Sequence, residues 1–212
     1  MVGTPFLAIR GTLKEAQKQT IIQLMTHFRY VRATLLVIAA LACGPALAGK
    51  TVVTENPTTK LKSWKQIENG ISVELIQLLP DFVQATFAAR DLPASIFESM
   101  RGYCVFGTVV RNESEAEVSY RVADWRYRTR DGKSHTLRTK TEWIATWKKS
   151  GADFGFAILP DDITFDAGDW AQGFTTPRIP PGTQFDLIFT WNMHGKKHTG
   201  TLRNVVCPNP KR

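Results

Sequence analysis

The sequence predicts a mainly β protein, an immunoglobulin-like antiparallel β-sandwich with a small amino-proximal helical element. Three observations support this prediction. Beyond residue 103, apolar and polar residues alternate with a period of two, and turn-forming residues recur at short spacing. Two cysteines also lie near the two ends of this region, as expected for a disulfide that ties a β domain together.

Residues 25–48 have the residue order of a secretory signal peptide. Arg29 and Arg32 precede an apolar run over 33–42, and the Ala-Leu-Ala triplet of 46–48 follows it, which is the charged, apolar and small order of an exported leader. We predict cleavage after residue 48 and a periplasmic or secreted protein. Residues 1–24 would then be a gene-model extension ahead of the true start.

Two alternatives to cleavage stay open for this leader. Cys43 follows a short apolar triplet and is a candidate for lipid attachment, although the triplet matches that pattern only loosely. A retained membrane anchor is disfavoured because Pro45 interrupts an apolar run much shorter than the roughly 20 residues of a spanning helix. We therefore predict no transmembrane anchor after cleavage.

The chain beyond the leader is sized for one domain with a modest positive charge. Residues 1–48 hold five of the 27 Lys and Arg residues and one of the 19 acidic residues, so the remaining chain carries a net charge of +4. A chain of this length buries a sizeable core without a metal. The small excess of positive charge does not indicate a nucleic-acid partner, and we predict none.

Cys104 and Cys207 are the two cysteines that remain after cleavage. Thiols oxidise outside the cytoplasm, so the sequence predicts a disulfide between them. Two buried free thiols are the alternative.

The amino-proximal part divides into a lead-in, a strand and two helices. Residues 49–62 are mostly Thr, Lys, Asn and Pro, and we predict a flexible lead-in before a single domain over 63–212. The segment 71–80 alternates apolar and polar residues and predicts a strand, with a helix as the alternative. Proline near the start of each of two short apolar-periodic segments predicts helices near 81–101.

The rest of the domain reads as successive antiparallel strands. Phe185, Leu187, Phe189, Trp191 and Met193 alternate along one of them and should share the buried face. The predicted strands cover, in order, residues 103–112, 118–130, 134–147, 152–160, 183–193 and 198–207.

Five cations flank the turn at Asp131-Gly132 and form a candidate basic binding face. If the hairpin loop holds an odd number of residues, Tyr127 faces Leu137 and the cations form one exposed ladder. Like charges on such a ladder would be relieved by an anionic partner, such as an anionic envelope component or an acidic protein surface. A solvated face that protects the sheet edge is the alternative. The ladder residues are Arg126, Arg128, Arg130, Arg138 and Lys140.

Two candidate metal sites follow from local clusters. Met193, His194 and His198 surround one turn, and two imidazoles with a thioether suit copper. Four aspartates offer oxygen ligands for calcium, although their spacing fits no standard calcium loop and such residues often form turns. These aspartates are Asp161, Asp162, Asp166 and Asp169.

The inventory of catalytic groups is poor. No serine lies in a Gly-x-Ser-x-Gly turn, and His135 has no recognisable partner in the sequence. We therefore predict an exported, disulfide-stapled protein that acts as a non-enzymatic binding or structural module of the cell envelope. The alternatives are a copper-binding or other metal-binding envelope protein, and a carbohydrate-active or carbohydrate-binding protein that uses Trp170 and Phe174 with the aspartate cluster.

Overall fold

Two antiparallel β-sheets form the framework of the domain. The structure, a computed structural model, describes residues 49–152, 154–155 and 157–209. The predicted signal peptide at 25–48 and the predicted gene-model extension at 1–24 lie outside these residues.

Sheet A has five strands in the order β1-β2-β3-β4-β9. All of its pairings are antiparallel, and β2, β3 and β4 follow one another in both sequence and space. The predicted strand at 71–80 is confirmed as β3. The strands are β1 (Val52–Glu55), β2 (Lys62–Glu68), β3 (Ile71–Gln77), β4 (Phe106–Asn112) and β9 (Trp170–Thr175).

Sheet B has six strands and is organised around its longest pair, β10 and β11. Strand β10 pairs with β11, and also with both β5 and β6, which contact different parts of its length. The strands are β5 (Val118–Arg121), β6 (Arg126–Thr129), β7 (Ser134–Thr136), β8 (Asp162–Phe165), β10 (Gln184–Met193) and β11 (Lys196–Val206).

The main core takes side chains from both sheets, in the manner of a sandwich. Phe185, Leu187 and Phe189 of β10 are buried in the same cluster as Val73 and Leu75 of β3. The period-two pattern in β10 produces this burial because alternate residues of a strand point to one face. The predicted mainly β, antiparallel fold is therefore confirmed, whereas its immunoglobulin-like character stays a prediction.

A second core forms where three helices pack together. Helices α1 (Pro80–Ala88) and α2 (Ala94–Ser99) occupy the region where the sequence predicts two short helices, and α3 (Lys140–Lys149) joins them. Trp143 and Trp147 of α3 are fully buried and stack on one another with ring centroids 5.4 Å apart. The cluster also includes Phe87, from α1.

Helix α3 replaces most of the strand predicted over 134–147. Strand β7 ends at Thr136, and a capping box at Thr139 and Glu142 then starts the helix. The Thr139 side chain accepts from the Glu142 N–H, and the Glu142 side chain accepts from the Thr139 N–H. The two tryptophans four residues apart then share one helical face. The strand prediction is wrong here because the burial of both tryptophans on one face favours a helix, and the alternating segment before them is short.

Two further segments differ from the sequence prediction. Residues 52–55, predicted to be part of a flexible lead-in, form β1 and pair with β2. The chain is also held just before β1, since the Thr51 hydroxyl accepts from the Arg203 N–H at 3.1 Å. The long strand predicted over 118–130 is broken by a 3-10 turn at Val122–Asp124, which lets β5 and β6 pair with separate parts of β10.

The predicted disulfide is present. Cys104 and Cys207 are each 3% exposed and are joined sulfur to sulfur at 2.19 Å. The bond ties the segment before β4 in sheet A to the residue after β11 in sheet B. Among the residues that the structure describes, no helix is long and apolar enough to cross a membrane.

Candidate functional site

The five cations of the predicted ladder do not lie on one strand pair. The β6–β7 register places Tyr127 opposite His135, with a three-residue loop between Thr129 and Lys133. The loop is odd as predicted, but the partner of Tyr127 lies two residues closer to the turn than the predicted partner, Leu137. Because β7 ends at Thr136, Arg138 and Lys140 leave the sheet, and the predicted five-residue ladder is wrong.

Arg126, Arg128 and Arg130 stay on the hairpin, and each has a partner there. The Arg128 guanidinium lies 3.3 Å from the Asp186 carboxylate. Arg126 donates to the carbonyls of Ala123 and Trp125, and Arg130 donates to the Gln184 side chain. The repulsion expected from a ladder is thus relieved inside the protein. An exposed ion pair of this kind adds little stability, on the order of 0–1 kcal/mol.

Arg138 occupies a different environment, next to helix α3. Its guanidinium carbon lies 3.9 Å from the centroid of the Trp143 ring, which is cation–π geometry. The same group donates to the Glu142 carbonyl at 3.2 Å and to the Thr146 hydroxyl. Arg138 is half-buried, so the helix fixes the position of its charge.

A concave surface, which we call the arginine cleft, lies beside Arg138. Its volume is about 730 Å³, and it is bounded by the β6–β7 hairpin, the start of α3 and the segments around residues 103 and 176–178. Its lining is mostly aromatic, hydroxyl-bearing and cationic. The lining residues are Tyr103, Tyr127, Ser134, His135, Thr136, Leu137, Arg138, Glu142, Ala145, Thr176 and Arg178.

Arg178 supplies the second guanidinium of the arginine cleft. Its guanidinium carbon lies 5.8 Å from the centroid of the Tyr103 ring, so this arginine also rests on an aromatic face. The segment is anchored because the Tyr127 hydroxyl donates to the Arg178 carbonyl at 3.2 Å. Arg178 is exposed, and its guanidinium forms no ion pair with any described residue.

Tyr127 and His135 form the strand side of the arginine cleft. Their rings stack with centroids 5.1 Å apart across the β6–β7 pair. Burial raises the pKa of the Tyr127 hydroxyl above its ordinary value, so this phenol is neutral at physiological pH and serves as a hydrogen-bond donor.

The charge of the arginine cleft is positive. Glu142 is the acidic residue among its described lining residues, and the capping box already engages that carboxylate, which accepts from the Thr139 N–H at 2.8 Å. The positive charges of Arg138 and Arg178 are therefore little neutralised by acidic groups of the cleft itself. Guanidinium groups held on aromatic rings suit carboxylate, phosphate or sulfate groups, which they bind through paired hydrogen bonds.

The predicted copper ligands lie in and beside one tight turn. His194 and Gly195 form the β10–β11 turn with φ of 52° and 69°. His198 stacks on Trp191 at 5.5 Å, and the Met193 sulfur packs against Gly70. Within the described residues, no three His, Cys, Asp or Glu side chains come together as a metal site. Metal binding here stays a prediction.

The four aspartates predicted as calcium ligands have separate local roles. The Asp161 carboxylate accepts from the Lys140 and Thr141 N–H groups at the start of α3. Asp162 lies 3.5 Å from the Arg121 guanidinium, and Asp169 accepts from the Asp166 N–H at 3.2 Å within a turn. The Asp166–Asp169 contact matches the turn-forming interpretation, whereas Asp161 and Asp162 contact groups that are distant in the chain. Calcium binding stays a prediction.

The predicted sugar platform is divided between two environments. Trp170 is 51% exposed at one end of β9, whereas Phe174 is half-buried against the helical core. The two residues are on the same face of the strand but are separated by two repeats of the pleat, and of the two only Trp170 offers an open ring.

Among the residues that line the arginine cleft, Arg138 is the one that the sequence pattern assigned to a binding face. Tyr103 and Arg178 come from distant segments that no motif or period connects to Arg138, and Tyr127 was expected only as the hairpin partner of Leu137. The sequence signal that could have located the site is the capping box of Thr139 and Glu142. It predicts that a helix begins at residue 140, so that the strand ends earlier and Arg138 lies next to Trp143. A scan of family models matches none for this chain, and a search of curated proteins finds no significant match.

Proposed function

We propose that this chain is an exported, non-enzymatic binding protein of the cell envelope, which binds an anionic partner in the arginine cleft. The partner is an acidic envelope component or an acidic protein surface. A disulfide-stapled, immunoglobulin-like sandwich would be the frame that carries the cleft. The observation on which the proposal depends is the pair of guanidiniums, Arg138 and Arg178, each held over an aromatic ring and facing one concave surface.

Placement outside the cytoplasm is supported by two independent features. The sequence of residues 25–48 has the order of a cleaved leader, and a buried disulfide is the state expected of a cysteine pair in an oxidising compartment.

A binding role rather than catalysis is supported by the side chains of the cleft. The described hydroxyl groups of Ser134, Thr136 and Thr176 form no hydrogen bond with His135, and the Thr176 hydroxyl instead accepts from the Trp143 indole at 2.9 Å. A nucleophile needs a base within hydrogen-bond reach, and the contacts of the cleft supply none among the described residues.

Binding to a labelled polyanion tests the proposal. We expect fluorescein-labelled poly-L-glutamate to bind residues 49–212, with clear weakening as sodium chloride rises from 0.05 to about 0.5 M, because salt screens the attraction. The double variant Arg138→Gln, Arg178→Gln should reduce affinity by about tenfold or more, since charge-assisted hydrogen bonds contribute roughly 1.5–3 kcal/mol each. Fluorescence anisotropy measures both effects.

A matched control removes the same charge elsewhere. Arg121→Gln, Arg203→Gln also deletes two cations, but these lie on β5 and β11 and do not line the arginine cleft. This variant should bind within about twofold of the wild type. Equal losses in the two double variants would show that net charge alone drives binding, and the site assignment would then be wrong.

A further inference from the structure

The outer face of sheet A, away from the main core, carries a second concave surface that we call the sheet groove. Its volume is about 570 Å³, within the range of about 300–1,000 Å³ typical of small-molecule sites. Ile76, Gly107, Val109 and Phe174, on neighbouring strands β3, β4 and β9, form its floor. We propose that the sheet groove binds a long-chain alkyl carboxylate, independently of the arginine cleft.

The walls of the sheet groove are apolar and partly exposed. Phe82 of α1 is 57% exposed and stands on one side, and Ile158 and Pro160 stand on the other. Ile76 on the floor is 36% exposed. Large apolar side chains that meet at one concavity leave a patch that an apolar ligand would remove from water.

Gly107 explains why the floor is open. It lies inside β4, where glycine weakens a strand, and its backbone has no positive φ that would require glycine. A β-carbon at this position would meet only ordinary contacts, the nearest being the Leu78 side chain at 3.7 Å. Neither packing nor conformation demands glycine here. A missing side chain in the floor of a groove is instead what close approach by a ligand requires.

The rim determines the charge of the ligand. Arg90 and Lys140 border the sheet groove, and none of its described lining residues is acidic. The Lys140 ammonium forms no ion pair or hydrogen bond with another described residue, although the Lys140 N–H is bonded to Asp161. A ligand that fills this groove therefore has an apolar body and an anionic end.

An alkyl chain suits the sheet groove better than a peptide. The backbone N–H and C=O groups of β3 and β4 are used in the hydrogen bonds between these two strands. At the edge of the sheet, the Phe174 N–H donates to the Ala157 carbonyl, and the Phe174 carbonyl accepts from the Leu159 N–H. A peptide lying on this floor would bury N–H and C=O groups without partners, which is costly. An alkyl chain has no such groups.

Calorimetric titration with laurate, below its micellar concentration, tests the proposal. We expect saturable binding at a stoichiometry of one, with decanoate about tenfold weaker, because each buried CH₂ contributes roughly fourfold in affinity. Dodecyltrimethylammonium, which has the same chain and a cationic head, should bind at least tenfold more weakly than laurate. Lys140→Gln should weaken laurate binding by several-fold. It should also reduce the difference in affinity between laurate and dodecyltrimethylammonium.

Gly107→Leu is the decisive variant because its side chain would fill the sheet groove from the floor. We expect it to abolish laurate binding and to keep a melting temperature close to that of the wild type. Thr164→Leu is the matched control, since Thr164 is exposed on β8 in the other sheet, and it should bind laurate normally. If Gly107→Leu alters the fold, Ile76→Ser and Phe82→Ser test the same surface and should each weaken binding.

Three results would overturn the alkyl carboxylate assignment. They are no binding of laurate to the wild type, undiminished binding to a folded Gly107→Leu variant, and binding to phosphatidylglycerol vesicles without binding to free laurate. The last result would indicate a membrane-surface contact instead. The double variant Arg138→Gln, Arg178→Gln should bind laurate normally, which separates this proposal from the proposed function.

Discussion

Replacing Cys104 by serine should lower the free energy of unfolding by about 4 kcal/mol, the largest effect that we expect from a single substitution. The disulfide joins residues 103 positions apart, and a closed loop of this length restricts the unfolded chain by an estimated 4–5 kcal/mol. Both sulfurs are buried, so the variant also places a hydroxyl at a site lined by apolar groups. Urea unfolding monitored by tryptophan fluorescence measures the change.

Two further variants separate the bond from the packing of each sulfur. Cys207→Ser should cost about as much as Cys104→Ser, and the double variant should cost little more than either, because the same bond is lost each time. If reduction of the wild type leaves the urea midpoint unchanged, or if the unreduced unfolded chain has two reactive thiols, the disulfide does not stabilise the protein as we expect.

Asn112→Ala should lower the free energy of unfolding by about 3 kcal/mol. Asn112 is fully buried at the end of β4. Its amide nitrogen donates to the carbonyls of Ala116 and Asp166 at 2.7 and 3.0 Å, and its amide oxygen accepts from the Ser114 N–H at 2.9 Å. Each buried group left without a partner costs roughly 1–3 kcal/mol.

Asn112 matters because these contacts hold the end of sheet A beside the end of β8 in sheet B. Asn192→Ala is the control, since Asn192 is exposed on β10, and it should change stability by less than about 0.5 kcal/mol. A loss below about 1 kcal/mol for Asn112→Ala would mean that water replaces the amide. Although Asn112-Glu113-Ser114 matches a glycosylation acceptor, the buried amide should stay unmodified in the folded protein.

The parts of the fold that the sequence predicted well are those in which one local pattern dominates. Strand β10 alternates large apolar residues with polar ones at every position except Ile188, so its period and its buried face are clear. The disulfide followed from having two cysteines beyond the predicted leader. In both cases one constraint, the period of the apolar residues or the number of cysteines, leaves few possible structures.

The errors occurred where two patterns overlap or where contacts are non-local. Residues 134–149 begin with strand-like alternation and end with the helical spacing of Trp143 and Trp147, and the capping box between them sets the boundary. Strand β1 is short and exposed at all four residues, and it forms because β2 offers an edge with which it can pair. Its own residues bury nothing, so composition alone indicates a mobile segment.

The candidate site was hardest to predict because its geometry depends on those boundaries. Arg138 was assigned to a basic ladder only because β7 was expected to continue past it. Once the strand ends and α3 begins, Arg138 turns onto Trp143 and faces the same concavity as Arg178. No feature near Arg178 in the sequence indicates that neighbour.

The sheet groove illustrates the same limit. Gly107, Phe82 and Lys140 are far apart in the chain, and each has an ordinary explanation by itself. The three residues come together only through the register of β3, β4 and β9. This register places Gly107, which has no side chain, between the exposed ring of Phe82 and the cationic Lys140.

Mass spectrometry of the intact protein from its native source tests the central claim, that this is an exported, disulfide-stapled protein, most directly. We expect the mass of a chain that starts at Gly49, less two hydrogen atoms for the Cys104–Cys207 bond, with no lipid attached. Reduction should restore those two hydrogens. A dominant species that retains residues 25–48, or a chain whose mass does not change on reduction, would contradict the account.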